Sequence, residues 1–391
     1  MKKILLSMAA ISMAAVASAQ VADGQYLIRN VEQNSWLNSG HSWGTAAVTT
    51  QVSRVFEVVN QTDGTAKIKS TLGWWKGGDE IYLDGGENDA ANFEFVKSGD
   101  KYFIKHSGKY FALNEKFDFK DGDWWNWKKA CHQDTQWTIK LVSAEADATA
   151  WDVISLAEMN TRHAAATEAN PTEASYFIKA NNMQRNDSDN LKAWVYTVDG
   201  AAPQNVDPGF LTPDPNWIYG DDDAWAHQDT FGLVIYDNHE GTDMVQQVAE
   251  GLPAGKYNVT YRVVNQTSTP FELSINGTVL PVAEFADSDL WYGSAADALK
   301  GGEKTGQVTV GADGKLDIKM VKQSKADTQN RFAFKTFRLN YLGGSGSGIE
   351  GIEADENAPV EYYNLQGVRV ANPANGIFIK KQGNKVSKVI R

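Results

Sequence analysis

Between Gly251 and Leu280 the chain reads GLPAGKYNVTYRVVNQTSTPFELSINGTVL, where Tyr257, Val259, Tyr261 and Val263 alternate strictly with polar residues. An apolar side chain at every second position lines one face of an extended strand and cannot line one face of a helix, so the stretch predicts a half-buried β-strand. Leu252-Pro253-Ala254-Gly255 in front of it is turn chemistry. Asn276-Gly277, between Leu273/Ile275 and Val279, is a hairpin signal because both residues tolerate positive φ. The pattern returns at Val308/Val310, Leu316/Ile318/Met320 and Phe332/Phe334, then slips by one residue to Phe337/Leu339/Tyr341, as a β-bulge would make it. Antiparallel strands of this kind close a two-sheet sandwich.

A chain of 391 residues exceeds one compact domain, and 34 glycines with 42% hydrophobic residues fit β-rich modules joined by many turns. Residues 1–19 carry Lys2-Lys3, an apolar run from Ile4 to Val16 and Ala17-Ser18-Ala19 ahead of Gln20, the pattern of a secretory signal peptide, which predicts export. No later apolar run is long enough for a transmembrane span. The single cysteine, Cys131, can form no internal disulfide and lies far from the cleavage site, which argues against a lipid anchor. Removing Lys2 and Lys3 takes the formal charge from −12 to −14, a poor match for nucleic acid. The charge is uneven: residues 359–391 hold Arg369, Lys380, Lys381, Lys385, Lys388 and Arg391 against one acid, Glu361, which marks the tail as a separate unit.

From Asp23 to Ser143 a pattern recurs three times: an x-Ile-basic strand, an x-Leu-Asn/Asp strand, then an aromatic-x-apolar strand. The first set is Tyr26-Leu27-Ile28-Arg29, Trp36-Leu37-Asn38 and Phe56-Glu57-Val58. The second is Ala66-Lys67-Ile68-Lys69, Tyr82-Leu83-Asp84 and Phe93-Glu94-Phe95. The third is Tyr102-Phe103-Ile104-Lys105, Ala112-Leu113-Asn114 and Trp137-Thr138-Ile139. This threefold repeat over residues 22–143 resembles a β-trefoil of the ricin or fascin type. The Q-x-W signature of the ricin-type lectins is missing, since Trp137 follows Thr135-Gln136, so the galactose pockets of that family do not carry over.

Glycine-rich polar loops interrupt these strands at Leu72-Gly73-Trp74-Trp75-Lys76-Gly77 and at Asp121-Gly122-Asp123-Trp124-Trp125-Asn126-Trp127-Lys128. The five tryptophans Trp74, Trp75, Trp124, Trp125 and Trp127 either fold back to cap the barrel or form a platform for the apolar faces of sugar rings. Covering on the order of 80 Å² of one indole at ~25 cal/mol/Å² stabilises a complex by ~2 kcal/mol, so two or three rings support millimolar binding.

Residues 144–174 are rich in Ala and Glu, and the stripe of Trp151, Ile154 and Ala157 with Val153 and Leu156 predicts an amphipathic helical connector, stopped at Asn170-Pro171. Residues 175–342 form the domain of the opening stretch, with further strands expected at Tyr176–Ala180, Lys192–Val198, Thr230–Ile235 and Met244–Val248. The order Phe177-Ile178-Lys179-Ala180-Asn181, Trp194, Gly251-Leu252-Pro253-Ala254-Gly255-Lys256-Tyr257 and Phe337-Arg338-Leu339-Asn340-Tyr341 resembles the galactose-binding-like jelly rolls of secreted carbohydrate-binding modules. Between Asp199 and Asp229 no strand period is visible, and Trp217, Tyr219 and Trp225 there either contact a ligand or cover a sheet. Trp291 is a second such candidate, while Asp221-Asp222-Asp223 lacks the alternating spacing of a calcium loop and reads as a solvated charge run.

The six histidines show no H-x-x-x-H or H-E-x-x-H spacing, and neither G-x-S-x-G nor a glycine-rich phosphate loop occurs, so neither a catalytic residue nor a metal or other cofactor is expected. Gly343-Gly344-Ser345-Gly346-Ser347-Gly348 opens a flexible linker over residues 343–358. Beyond it, Tyr362-Tyr363-Asn364-Leu365-Gln366-Gly367-Val368-Arg369-Val370, Asn375-Gly376-Ile377-Phe378-Ile379-Lys380 and Lys385-Val386-Ser387-Lys388-Val389 resemble the type A C-terminal sorting domain of the type IX secretion system. That resemblance implies a secretion translocon as partner and a secreted or surface-displayed product.

The expected architecture is therefore all-β: a β-trefoil, a helical connector, a jelly-roll β-sandwich and a small C-terminal β sorting module. The expected function is non-catalytic glycan binding, with adhesion to a protein ligand as the alternative and glycoside hydrolysis as a third reading.

Overall fold

The computed structural model describes residues 21–39, 45–50, 52, 54–78, 80–117, 136–181, 192–205, 216–219, 233–237, 240–286, 302–325, 330–344, 359–365, 367–374, 376–382 and 385–390. Residues 1–343 and 344–391 form two compact units. The protein is all-β apart from one α-helix and short 3-10 turns among the described residues, and no described helix is long and apolar enough to cross a membrane.

The first part of the larger unit is built from three sets of four strands. They are β1 (Gly24–Asn30), β2 (Ser35–Ser39), β3 (Ala46–Thr49) and β4 (Phe56–Asn60); β5 (Ala66–Ser70), β6 (Gly73–Lys76), β7 (Tyr82–Gly85) and β8 (Phe93–Ser98); and β9 (Lys101–His106), β10 (Lys109–Phe117), β11 (Gln136–Val142) and β12 (Trp151–Ser155). The first and fourth strands of each set pair antiparallel in a closed ring, β1–β4–β5–β8–β9–β12 and back to β1. Closure leaves the ring strands without the unpaired edges that invite aggregation. The second and third strands of each set form a hairpin continuing from the first. Equivalent positions fill the core: Ile28, Ile68 and Ile104 from the first strands, Leu37, Trp75 and Phe111 from the second, and Phe56, Phe93 and Trp151 from the fourth, all buried.

This registration corrects the repeat in three places. In the third repeat the counterpart of Trp36-Leu37-Asn38 is Tyr110-Phe111-Ala112, two residues before the expected Ala112-Leu113-Asn114. Tyr82-Leu83-Asp84 and Trp137-Thr138-Ile139 belong to third strands, β7 and β11, and the true counterpart of Phe56-Glu57-Val58 and Phe93-Glu94-Phe95 is Trp151-Asp152-Val153 in β12. The expected helical connector is accordingly wrong over its first part. Trp151–Ser155 pairs along β1 from Asn30↔Trp151 to Tyr26↔Ser155, as ring closure requires. Its alternation is masked because both faces are covered: Trp151 and Val153 pack in the barrel core, while Ile154 enters a second apolar cluster on the opposite face. Only then does α1 (Leu156–Ala164) begin, with the Ser155 hydroxyl accepting from the Glu158 amide at 3.1 Å, the S-x-x-E start signal of a helix.

The sandwich follows. Its strands are β13 (Thr172–Glu173), β14 (Val195–Val198), β15 (Gln204–Asn205), β16 (Asn216–Tyr219), β17 (Leu233–Asp237), β18 (Gly241–Ala249), β19 (Gly255–Gln266), β20 (Phe271–Ile275), β21 (Thr278–Leu280), β22 (Ala283–Phe285), β23 (Glu303–Val310), β24 (Leu316–Ser324) and β25 (Asn330–Tyr341). One sheet runs β16-β17-β25-β19-β22, with β13 also on β25 and β23 on β19; the other runs β15-β14-β18-β24-β20-β21. Tyr257, Val259, Tyr261 and Val263 of β19 are fully buried against Leu273, Ile275, Ile318 and Met320 of the facing sheet, as their alternation predicts.

Asn276-Gly277 makes the two-residue turn, with φ of 47° and 74°. The Asn276 amide also donates to the Thr309 and Lys315 carbonyls and accepts from the Asp317 amide, stitching the hairpin to its neighbours. The predicted bulge is present: pairing passes from Tyr261↔Phe337 to Val263↔Phe334, with one intervening residue on β19 against two on β25. Two expectations fail here. Tyr176–Ala180 is no strand; Ser175–Phe177 is a 3-10 turn. The segment without a visible strand period contains β16, whose run Asn216-Trp217-Ile218-Tyr219 offers no alternation to detect.

Barrel and sandwich are joined by an apolar cluster of Leu27, Trp36, Val52, Ile154, Met159 and Tyr176, to which Phe177 adds its ring. Asn181 donates from its amide to the Val52 carbonyl at 2.8 Å across the same junction. In the smaller unit, β26 (Val360–Tyr363), β27 (Ile377–Gln382) and β28 (Lys385–Ile390) form an antiparallel meander. Its Asn364–Gly367 turn closes through Gly367 N–H donating to the Asn364 carbonyl at 3.0 Å, with Gly367 at φ 82°.

Candidate ligand-binding site

Each repeat of the barrel carries the same three outward-facing side chains. The residue after the inward Ile is a base: Arg29, Lys69 or Lys105. Across the hairpin it is registered with an aromatic, Arg29↔Trp36, Lys69↔Trp74 and Lys105↔Tyr110. Across the ring it is registered with an acid, Arg29↔Asp152, Lys69↔Glu57 and Lys105↔Glu94. The side chains meet as the registers demand. The cations lie 5.9, 5.1 and 5.1 Å from the ring centres of Trp36, Trp74 and Tyr110, within cation–π range. Lys69 and Lys105 pair with Glu57 and Glu94 at 3.3 and 3.6 Å, and Arg29 Nε donates to Asp152 at 3.0 Å. The acid holds the cation and the cation leans on the ring.

The three copies differ in what covers them. Trp36 is only 7% exposed, because it lies in the cluster that joins barrel to sandwich. Its acid, Asp152, is also buried; desolvation raises its pKa, but hydrogen bonds from Lys101 and Arg29 outweigh this and hold the carboxyl below its ordinary value. Trp74 and Tyr110 remain half-exposed. Beside the second copy a cleft of about 710 Å³ separates barrel from sandwich, walled by Glu57, Lys69 and Ser70 on one side and by Phe177, Lys179, Gln247, Val248 and Glu250 on the other. Val248 is 45% exposed there, an apolar patch among hydrogen-bonding groups.

Lys76, two residues past Trp74, lies 5.3 Å from the Tyr82 ring centre and 3.2 Å from Asp84, so the outer surface of this hairpin continues the same mixture. Opposite Trp74 stands Gly85, where a Cβ would come within 2.9 Å of the Trp74 carbonyl oxygen, so the site tolerates no side chain.

The expected site residues divide accordingly. Trp74 is on the surface just described. Trp75 is a correction: it is 0% exposed and packs edge-on against Phe56 and Phe93, both at 5.2 Å, because the alternation of β6 turns it inward at the position of Leu37 and Phe111. Trp217 and Tyr219 lie in β16, paired with Tyr236 and Val234. Trp124, Trp125, Trp127, Trp225 and Trp291 lie outside the described residues. Sequence reasoning missed Trp36, Tyr110 and the acids Glu57, Glu94 and Asp152, although the recurring Ile-basic dipeptide was their visible signal. Among the described residues no group of three or more His, Cys, Asp or Glu could hold a metal.

No family profile and no curated protein matches the chain. Among solved structures it is similar to TmCBM61 in complex with beta-1,4-galactotriose, at 14% identity over 40% of this chain and 97% of that one, with a TM-score of 0.25. It is similar to Cry35Ab1 at 12% identity over 82% of this chain and 90% of that one, TM-score 0.25. It is also similar to the adhesin domain of Epf from Streptococcus pyogenes at 8% identity over 51% of this chain and 90% of that one, TM-score 0.23. Likenesses at this level assign neither a family nor a ligand.

Proposed function

We propose that the protein is a non-catalytic glycan-binding protein whose principal site is the Trp74 surface and the cleft beside it. The observation that carries the reading is the repeated acid–base–aromatic set, whose second copy places Glu57 and Lys69 in the wall of the cleft while the partly exposed Trp74 ring lies 5.1 Å from the Lys69 ammonium. A saccharide presents an apolar ring face bordered by hydroxyls. An indole beside a fixed cation and carboxylate meets both requirements.

On this reading the ring of strands with its three hairpins supports a β-trefoil, and the two facing sheets support a galactose-binding-like jelly roll. Trp124, Trp125, Trp127, Trp217, Tyr219, Trp225 and Trp291 are proposed as further contacts. Export by the segment 1–19 and recognition of the C-terminal module by a type IX translocon complete the proposal. The three-stranded meander and the Asn364–Gly367 turn after its first strand support the last step.

The test is a glycan array followed by titration of a retained neutral oligosaccharide against wild type and Trp74→Ala. Loss of one stacking ring is expected to weaken binding about 5- to 30-fold, equivalent to ~1 to 2 kcal/mol, with the fold intact. An array that retains no sugar, or release of reducing sugar from a polysaccharide, would overturn the proposal.

A further inference from the structure

Equivalent positions of the three repeats lay out the same patch on the outer face of the ring. The residue before the inward Ile of the first strand is Leu27, Lys67 or Phe103. It is registered with the residue two past the acid of the fourth strand, Leu27↔Ile154, Lys67↔Val59 and Phe103↔Val96. With the second-strand aromatic, the base and the acid, the first and third repeats therefore carry one five-membered set, large apolar, β-branched, aromatic, basic and acidic, which Lys67 breaks in the second repeat. In the first repeat this face is an interface: Leu27, Trp36 and Ile154 are buried under Met159 of α1 and Tyr176 and Phe177 of the 3-10 turn. In the third repeat Val96, Phe103 and Tyr110 stay partly exposed. Phe103 meets Tyr110 edge-on at 6.0 Å, and Val142, registered with Tyr110, widens the apolar surface. Its polar rim is paired within itself, Lys105 with Glu94 at 3.6 Å and the Tyr110 hydroxyl donating to Glu145 at 3.1 Å.

We propose that the outer face of the third repeat is a docking surface for a partner protein, which lays on it a helix or turn presenting an aromatic side chain and a methionine or leucine. The first repeat is the template, since the same five side-chain types receive that chemistry there from within the chain. A sugar would bring hydroxyls over Phe103, Val96 and Val142, which return no hydrogen bond, whereas apolar side chains are stabilised by covering them. The surface is separate from Trp74, and the inference goes beyond the glycan-binding reading without resting on it.

The test is photo-cross-linking of the full chain by a synthetic peptide of residues 155–178, the segment that covers the first repeat, carrying Phe177→p-benzoylphenylalanine. The first-repeat face stays filled by the attached copy of this segment, whose effective concentration exceeds that of an added peptide. Labelling of the wild type should saturate and map to β8, β9 and β10. Phe103→Lys gives the third repeat the residue type that the second already carries, and it should lower labelling about 10-fold with a normal melt. Val96→Lys should do the same, and a peptide with Met159→Ser and Tyr176→Ser should label no better than background. Trp74→Ala should change nothing, so failure of the glycan site and failure of this face are seen separately. Absence of saturable labelling, labelling mapped elsewhere, or unaltered labelling in normally melting Phe103→Lys and Val96→Lys would overturn the inference. A dimer of the full chain that Phe103→Lys disperses would overturn it in favour of a second copy, and loss of the array-retained neutral oligosaccharide in Phe103→Lys would overturn it in favour of a sugar.

Discussion

Two neighbouring tryptophans on one strand play opposite parts, and the distinction is measurable. Trp74→Ala is expected to alter binding and leave the melt nearly unchanged. Trp75→Ala empties the centre of the Phe56, Phe93 and Phe111 cluster and should cost about 3 to 5 kcal/mol of stability, read as an early melt or failed expression. At the junction, His163 is 2% exposed, its Nε2–H donates to the Glu173 carbonyl at 3.0 Å, and its Nδ1 has no partner. Burial lowers its pKa below the ordinary 6.5. The unfolded chain therefore binds a proton that the folded chain refuses, so stability is full above about pH 6.5 and falls as pH drops toward the folded value. Urea midpoints measured from pH 8 to pH 5 should show this decline, and His163→Phe should flatten it; a decline of the same size in the variant would place its source elsewhere.

At the scale of elements, legibility followed whether one face of a strand stays polar. The strand β19, the turn at Asn276-Gly277 and the bulge in β25 were all readable, because period-2 alternation and positive φ are local properties. Gly277→Val should cost about 1 to 2 kcal/mol, since a β-branched residue disfavours φ near 74°; a thermal melt unchanged from wild type would contradict the assigned turn geometry. The strand β12 was unreadable for the complementary reason. Covered on both faces, it showed an apolar stripe close enough to 3.6-residue spacing to read as helix, and only its pairing with β1 identifies it. The run Asn216-Trp217-Ile218-Tyr219 in β16 was unreadable because it offers no polar–apolar alternation.

For the whole molecule, the packed cluster around Trp36, Met159 and Tyr176 changes what cleavage should reveal. Limited proteolysis is expected to cut within the Gly- and Ser-rich stretch 343–358 and to spare 144–174, leaving one large fragment; prompt cleavage between barrel and sandwich would show that the cluster does not hold them together. Deletion of residues 359–391 should strand the protein in the periplasm of a host with a type IX translocon, with unchanged surface display as the contrary result. In this protein the sequence alone determined the all-β class, the central strand β19, the Asn-Gly turn and the separateness of the basic tail, since each is written in local alternation, turn chemistry or charge. Tertiary structure alone decided which member of the repeated aromatic set is closed. Trp36, Trp74 and Tyr110 occupy equivalent positions, and Trp36 is closed because α1 and the Tyr176 turn from distant parts of the chain pack over it. Exposure is a property of such non-local contacts, which no spacing within a repeat encodes.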